Sequence, residues 1–545
     1  MRIALAQINA TVGDFKANSE AITAFVQKAL AAHAELVLFP ELALCGYPPM
    51  DLLDQDSFVE QNSAALRRLQ QQLPPDIAVG VGFVNRSPYP DGKSLVNEYG
   101  IILNRQIVFK QIKTLLPTYD VFDEARNFEA AREWHVFAWR GERIGIAICE
   151  DVWRDSGIPG THYRCDPVTT LLNKGITLLC VPSASPFIAG KHTVRRALAQ
   201  KIARRGNIPV LYLNTVGAND SIIFDGCSFA VMPDGAPLQS AAFDEALFVI
   251  DSQSGESSAP PDPIPDELDS IEQALIMGIR DYMAKCGFKN AHIGLSGGID
   301  SALVAYLAVR AIGADHVQCF SMPSRFSSQG SKDDARELAL NLKCHYETVA
   351  IEPVFDAVLA TVAPLFENRP FDSAEENIQA RIRGLILMAY ANKFNSMLLA
   401  TGNKSELAMG YCTIYGDMCG ALAPIGDLFK TDVFALCRRI NKRSPVIPEA
   451  ILTKAPSAEL RPNQRDQDSL PPYHVLDAIL KYYLFDNLST DEIAAQGYDH
   501  AVVRDIIRTV ARAEFKRRQA PPVLKVSKRA FGMGRRMPIA RAGYE

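Results

Sequence analysis

The sequence predicts an α/β protein of two domains, and three observations carry that prediction. Before residue 250, short apolar runs bounded by turn residues alternate with stretches of helical period. After residue 266 the alternation of strand and helix becomes regular. Between them, SQSGESSAPPDPIPD (252–266) is polar and rich in Pro and Ser, as linkers are. At 545 residues the chain also exceeds what one hydrophobic core holds. The expected division is a first domain at 1–251, a linker at 252–266 and a second domain at 267–545.

In the first domain IALAQI, LVLFPE, IAVGVGF, IGIAICE, LLCVPS, VLYLNTV and FAVMP read as strands. Helical periodicity covers about 16–34, 54–73, 162–174 and 192–206. LVNEYGIILNRQIVFKQI reads as a hairpin turning at Asn104 and Arg105. These elements make a layered α/β domain with a mixed sheet. In the second domain a helix over 266–286 leads into AHIGLS, and helices then separate VQCFSMP from HYETVAI. A long helix over 374–395 precedes SMLLATG, and the sum is a doubly wound parallel sheet.

Composition narrows the function classes. The hydrophobic content of 48 % and charged content of 22 % are ordinary for a globular protein. A net charge of −5 gives no bulk electrostatic case for nucleic acid or a membrane surface. The end of the chain, EFKRRQAPPVLKVSKRAFGMGRRMPIAR, is strongly basic. Such ends are ordinarily solvated, yet Phe515, Val523, Leu524, Val526 and Phe531 make an ordered, anion-facing segment an equal reading. Eleven scattered cysteines without a CxxC pair argue against a disulfide framework and a structural zinc site. MRIALAQINA reads as a strand rather than a signal peptide, and no apolar run reaches bilayer-spanning length, so a soluble cytoplasmic protein is expected.

In the second domain AHIGLSGGIDSALVAYLAV is a strand, a glycine turn and a helix start. That layout aims backbone N–H groups and a helix dipole at an anion. Gly297 and Gly298 let backbone approach a phosphate closely, and Ser296 and Ser301 add hydroxyl donors. No GxxxxGK[ST] or GxGxxG is present. Asp300 would repel a phosphate unless a cation stands between them, which implies Mg²⁺. SGGIDS resembles the pyrophosphate loop of the PP-loop ATP pyrophosphatases. With EENIQARIRG (375–384), LLATGNKSELAMGY (398–411), GDLFKTDVFAL (426–436) and the basic end, residues 266–545 resemble the NAD⁺ synthetase family. The resemblance implies that Gly294, Leu295, Ser296, Gly297, Gly298, Ile299, Asp300 and Ser301 hold ATP together with Thr401. It further implies that Asn377, Glu406 and Lys516 contact deamido-NAD, and that Asp300 and Glu406 hold Mg²⁺. Taken alone, Asn377 is a helix polar face and Glu406 a carboxylate at a helix start.

In the first domain Glu41, Lys113 and Cys149 each follow a strand, in LVLFPELALCGYPPMD, FKQIKTLLPTYDVFDEARNF and GIAICEDVW. Strand ends are where α/β sheets gather their sites. A lone cysteine is usually packing, and Cys45, Cys165, Cys180 and Cys227 are read so. The three motifs in this order resemble the nitrilase, or carbon–nitrogen hydrolase, superfamily over residues 1 to about 250. That implies an αββα sandwich in which Glu41 takes the thiol proton, Cys149 attacks an amide carbonyl and Lys113 steadies the oxyanion. Glu124 matches a second glutamate that positions the lysine. In glutamine-dependent NAD⁺ synthetases, residues matching Tyr119, Ser185 and Lys191 bind glutamine, with Ser183 an alternative to Ser185. Glu150 and Asp151, after Cys149, are read as shaping its turn.

An amide hydrolase joined to an amidating ligase implies ammonia supplied from glutamine. The expected reaction takes deamido-NAD, ATP, glutamine and water to NAD⁺, AMP, pyrophosphate and glutamate, in a homo-oligomer. The alternatives are a PP-loop amidotransferase for another carboxylate, and an amidase with a non-catalytic second half.

Overall fold

The computed structural model describes residues 1–154, 163–235, 237–239, 241–258, 265–367 and 369–542. The chain forms two compact units, Met1–Glu267 and Leu268–Glu545. In the first, the strands are β1 (Arg2–Gln7), β2 (Leu36–Leu38), β3 (Ala78–Arg86), β4 (Leu95–Leu103), β5 (Gln106–Ile112), β6 (Val136–Trp139) and β7 (Glu142–Ile146). They continue with β8 (Leu178–Ser183), β9 (Val210–Asn214), β10 (Val216–Asn219), β11 (Ile222–Asp225), β12 (Phe229–Val231), β13 (Pro237–Gln239) and β14 (Ala246–Asp251). The helices are α1 (Phe15–Ala31), α2 (Asp56–Gln72), α3 (Pro167–Asn173) and α4 (Lys191–Gly206).

One sheet runs β14-β1-β2-β3-β4-β5 and a second runs β13-β12-β9-β8-β7-β6, while β10 and β11 form a ribbon. Both large sheets are mixed, with β1, β2 and β3 parallel in one and β7, β8 and β9 parallel in the other. The period-2 alternation of the strands decides the layering. Ile3 and Leu5 of β1 share a buried cluster with Ile144, Ile146, Leu178 and Leu211 of the other sheet. Ala4 and Ala6 turn the opposite way, into a cluster with Ile22, Phe25 and Leu69 of α1 and α2. Leu179 and Val181 likewise meet Leu171, Ala199 and Ile202 of α3 and α4. The result is an αββα sandwich.

Departures from the expected elements have local causes. The helix expected over 162–174 begins at Pro167, because the Asp166 carboxylate caps it by accepting the Thr169 N–H at 2.9 Å. Its expected first residue, 162, lies outside the described residues. The hairpin turns where expected: Asn104 and Arg105 both take positive φ, 50° and 62°, as a tight two-residue hairpin turn requires. Of the seam at 252–266, residues up to 258 fold back on β14, with the Ser258 N–H bonded to the Val249 carbonyl at 2.8 Å.

In the second unit β15 (Asn290–Gly294), β16 (Val317–Ser321), β17 (His345–Thr348) and β18 (Ser396–Leu398) form a parallel sheet ordered β17-β16-β15-β18. It is built with α5 (Glu267–Lys285), α6 (Ile299–Ile312), α7 (Gln329–Leu342), α8 (Glu352–Val362), α9 (Ser373–Phe394), α10 (Lys404–Met409) and α11 (Lys430–Arg443). The strand order reverses between β15 and β18, so a crevice opens beyond their carboxyl ends. A second apolar cluster gathers helices Tyr473–Phe485 and His500–Arg512 with Val523 and Phe531 of the basic end. Among the described residues no helix is long and apolar enough to cross a membrane.

Candidate active sites

The first site gathers at strand ends of both sheets. After β2 the chain turns against β3, where a Cβ on Gly82 would lie 2.4 Å from the Leu42 nitrogen; glycine there lets the Glu41 turn pack on the sheet. Lys113 follows β5, and its buried ammonium donates to Glu41 Oε1 at 2.7 Å and Glu124 Oε1 at 2.8 Å. Asn97 of β4 donates to Glu41 Oε1 at 2.7 Å, and the Ala184 N–H donates to Glu41 Oε2 at 3.0 Å. Tyr47 donates to Glu124 Oε1 at 2.7 Å. Asn97, Tyr47 and the Ala184 amide escaped the sequence reading: Tyr47 lies within the Glu41 motif, but its partner Glu124 is 77 residues away, and Asn97 and Ala184 reach Glu41 from 56 and 143 residues away.

Cys149 opens a short 3₁₀ turn, Cys149–Val152, with φ at +47°. It is buried, and burial pushes its thiol well above the usual range. Glu41 pushes the same way, Lys113 opposes, and Glu150 and Glu124 add to the rise. Burial opposes the charge on Lys113, but Glu124 and Glu41 outweigh it and hold the ammonium above its usual range. Burial lifts Glu124 to about 7, against the pull of Lys113.

The two acids after Cys149 part company. Asp151 Oδ1 accepts the N–H groups of Thr114 at 2.9 Å and Leu115 at 2.7 Å, and Oδ2 accepts that of Ile148 at 2.9 Å. Glu150 accepts the hydroxyls of Tyr119, at 3.0 and 3.1 Å, and Tyr163, at 2.7 Å. Lys191 opens α4, stands 5.3 Å from the Trp153 ring centre, and its charge favours the Glu150 carboxylate. Ser185 has its backbone clasped by Asn214, at 2.8 and 3.1 Å, while the Ser183 hydroxyl donates back to Val181 at 3.3 Å. Tyr119, Glu150 and Lys191 thus come together beside Cys149.

In the second unit a cavity of about 300 Å³ lies at the carboxyl ends of β15 and β18. Gly294 to Ser301 and Thr401 line it with Glu406, Lys430 and Asp417. Gly297 has φ at +79°, and a Cβ there would lie 2.2 Å from the Ser331 carbonyl oxygen, so the loop accepts no side chain. The Ser301 hydroxyl donates to the Gly298 carbonyl at 3.1 Å at the start of α6. Lys430 Nζ donates to Asp300 and, at 3.3 Å, to Glu406 Oε1. Asn403 donates to the other oxygen of Asp300 at 2.8 Å while its own carbonyl caps α10. Burial lifts Glu406 to about 8, with Lys430 opposing and Asp300 adding.

Asn377 and Lys516 stand apart from the cavity lining. Asn377 accepts the Thr413 hydroxyl at 2.6 Å, and Lys516 donates to the carbonyls of Gly410 and Cys412 at 2.7 and 2.8 Å. Both therefore hold the 410–413 segment, whose Tyr411 and Thr413 border the cavity. Lys430 and Asn403 were missed as individual residues, although both lie in strings that carried the resemblance, GDLFKTD and GNKSE.

Comparison with known proteins agrees with both halves. The carbon–nitrogen hydrolase family matches residues 2–255 and the NAD synthase family matches residues 271–520. The glutamine-dependent NAD(+) synthetase of Synechocystis sp. is 48 % identical over 99 % of this chain and 98 % of its own. That of Rhodobacter capsulatus is 42 % identical over 99 % and 98 %. The glutamine-dependent NAD⁺ synthetase of Acinetobacter baumannii, solved with adenosine diphosphate, superposes with a TM-score of 0.78 at 37 % identity, covering 99 % of this chain and 98 % of its own. That from Cytophaga hutchinsonii, at 22 % identity and a TM-score of 0.85 over 100 % and 98 %, shares the fold. By sequence along its whole length, the chain belongs to the glutamine-dependent NAD⁺ synthetases.

Proposed function

We propose that residues 1–251 are the glutamine hydrolase, that 252–266 link it to the synthetase at 267–545, and that the two reactions are joined by ammonia. The observation that carries the first is one buried lysine shared by two glutamates beside a buried cysteine. Glu41 takes the thiol proton as Sγ attacks the amide carbon of glutamine. The oxyanion is steadied by the Lys113 ammonium and by the backbone N–H that follows Cys149. Collapse expels ammonia with the proton that Glu41 held, and Glu41 then activates water against the thioester. Glu124 and Tyr47 hold Lys113 in place. Tyr119, Lys191 and Ser185, with Glu150 beside them, form the glutamine cradle.

In the second unit a carboxylate cannot be amidated directly at neutral pH, so it is first adenylated. The nicotinate carboxylate of deamido-NAD attacks the ATP α-phosphorus and pyrophosphate leaves; ammonia then displaces AMP. Gly294–Ser301 and Thr401 hold the nucleotide, with its phosphates against the α6 start. Deamido-NAD lies against the 410–413 segment that Asn377 and Lys516 support. Asp300 and Glu406 are hard oxygen donors on either side of one lysine, the raised Glu406 carboxyl means that a second negative charge there lacks a counter-charge, and the pair would hold a magnesium ion. When bound, the ion would supply charge neutralisation at the phosphates. Lys430, which answers both carboxylates, is placed to turn to a phosphate.

A homo-oligomer fits the exposed Leu385 and Met388, which share one face of α9 at i, i+3 spacing. The deciding experiment is NAD⁺ formation with glutamine and with ammonium. Cys149→Ala is expected to lose glutamine-driven synthesis and keep ammonium-driven synthesis. Persistence of glutamine use would overturn the assignment of Cys149.

A further inference from the structure

We propose that Asp151 is a positioning residue for glutamine hydrolysis: its one carboxylate clamps the Lys113 segment to the Cys149 turn and so sets where the ammonium stands relative to the attacked carbonyl. This rests on the reading of Cys149 and Lys113 given above. Both segments leave regular structure at this point, since β5 ends at Ile112 and β7 at Ile146. Thr114, Leu115 and Ile148 are buried there, and buried N–H groups beyond a strand end need an acceptor. Asp151 is buried too and accepts all three, two on Oδ1 and one on Oδ2.

The bonds act on the reacting groups from both sides. Cys149 has a left-handed backbone, which a residue with a side chain keeps only when its surroundings enforce it. The Ile148 N–H on Asp151 Oδ2 and the Asp151 N–H on the Ile148 carbonyl, at 2.9 and 3.0 Å, close the turn around it. Lys113 is fixed through its own N–H to Asn97 at 2.8 Å and through its carbonyl to Ala131 at 3.0 Å. The next two N–H groups then tie it to Asp151. Asp151 thus spans two loops that otherwise belong to different sheets, one following β5 and one following β7. Oxyanion stabilisation depends on donors held in place before reaction, so the clamp bears on the rate of the chemical step rather than on glutamine affinity. Glu150, turned to the tyrosines, has no such reach.

Asp151→Asn tests this. Asparagine keeps the volume, but its amide end must face either the Ile148 N–H or the Thr114 and Leu115 pair, donor against donor. The number of working sites is counted by alkylation of Cys149 with a diazoketone analogue of glutamine. Per titrated site, kcat for glutamine-driven synthesis is expected to fall on the order of 10- to 100-fold, with KM for glutamine within about threefold and ammonium-driven synthesis unchanged. Fewer titratable sites with wild-type kcat per site would mean a merely structural role and would overturn the proposal. If Asp151→Asn yields no folded protein, Asp151→Glu, which displaces the carboxylate by one methylene, is read in the same way: a fall per site supports the clamp, and a wild-type value overturns it. Cys149→Ala that still used glutamine would sink the hydrolase reading itself. A glutamine-dead Cys149→Ala beside an unimpaired Asp151→Asn would sink the clamp alone.

Discussion

Cys149 is stored as a neutral thiol. Burial and the charges of Glu41, Glu150 and Glu124 outweigh Lys113, so the thiol titrates well above its usual range. With a raised value the thiolate is the minor form at neutral pH, and its fraction grows about tenfold per pH unit until the pKa is reached. Alkylation of Cys149 by iodoacetamide, followed on the Cys149 peptide by mass spectrometry, is therefore expected to accelerate from pH 7 through pH 9. A plateau below pH 8 would show a resting thiolate and remove the need for Glu41 as base. At this scale the sequence was partly legible. Glu41, Lys113 and Cys149 each close a strand-like run, so their positions could be read from pattern. Asp151 could be read only as an acid in a turn, because Thr114 and Leu115 stand 37 and 36 residues away in the chain. The separate task of Glu150 was hidden for the same reason, since Tyr119 is 31 residues distant.

Among the elements, the basic end is sewn into the second unit by cations that point inward. Arg517 donates to the carbonyls of Leu407 and Ala408 at the end of α10, and Lys516 to those just beyond. These are helix-terminal carbonyls that cations favour. At Lys516, Arg517 and Lys525 these cations thus meet neutral backbone oxygens, which sequence cannot tell from the expected anion. Lys404, from GNKSE, is wholly buried and gives its three protons to Asp427, Ser527 and the Arg529 carbonyl, each at 2.7 Å. Asp427, from GDLFKTD, also accepts the N–H groups of Val526 and Ser527 at 2.8 and 2.7 Å. Two strings that looked like ligand contacts thus carry a structural staple as well. Lys404→Met takes from the buried Asp427 its hydrogen-bonded cation and leaves only the charge of Lys525, a loss of about 3 kcal/mol. Ammonium-driven synthesis is expected to fail at a lower temperature while glutamine hydrolysis keeps its wild-type heat resistance. Equal midpoints for ammonium-driven synthesis in variant and wild type would show the staple to be dispensable.

For the whole molecule, the layering followed from strand–helix alternation and the family resemblance, while the strand order did not, because pairing partners such as β1 and β14 lie far apart in the chain. What covers α9 did not follow, because a helix apolar on more than one face reads the same whether its partner is its own core or another chain. Ile382 and Leu387 of that helix are buried while Leu385 and Met388 are exposed. Introducing charge there, with Leu385→Asp and Met388→Asp together, is expected to reduce the sedimenting mass without unfolding the unit. An unchanged mass at micromolar protein would exclude α9 as the contact between copies.

Each unit is closed by its own last segment. β1 pairs with β14 from Arg2↔Asp251 to Gln7↔Ala246, and Lys404 waits for Ser527 and Arg529. During synthesis, then, the first sheet lacks an edge until residue 251 has left the ribosome. In the second unit Lys404 has Asp427 as its counter-charge but lacks two of its three acceptors until residue 529 has been made. A ribosome that stops before residue 523 releases that unit's apolar cluster without Val523 and Phe531, so this segment works as a checkpoint for the second unit.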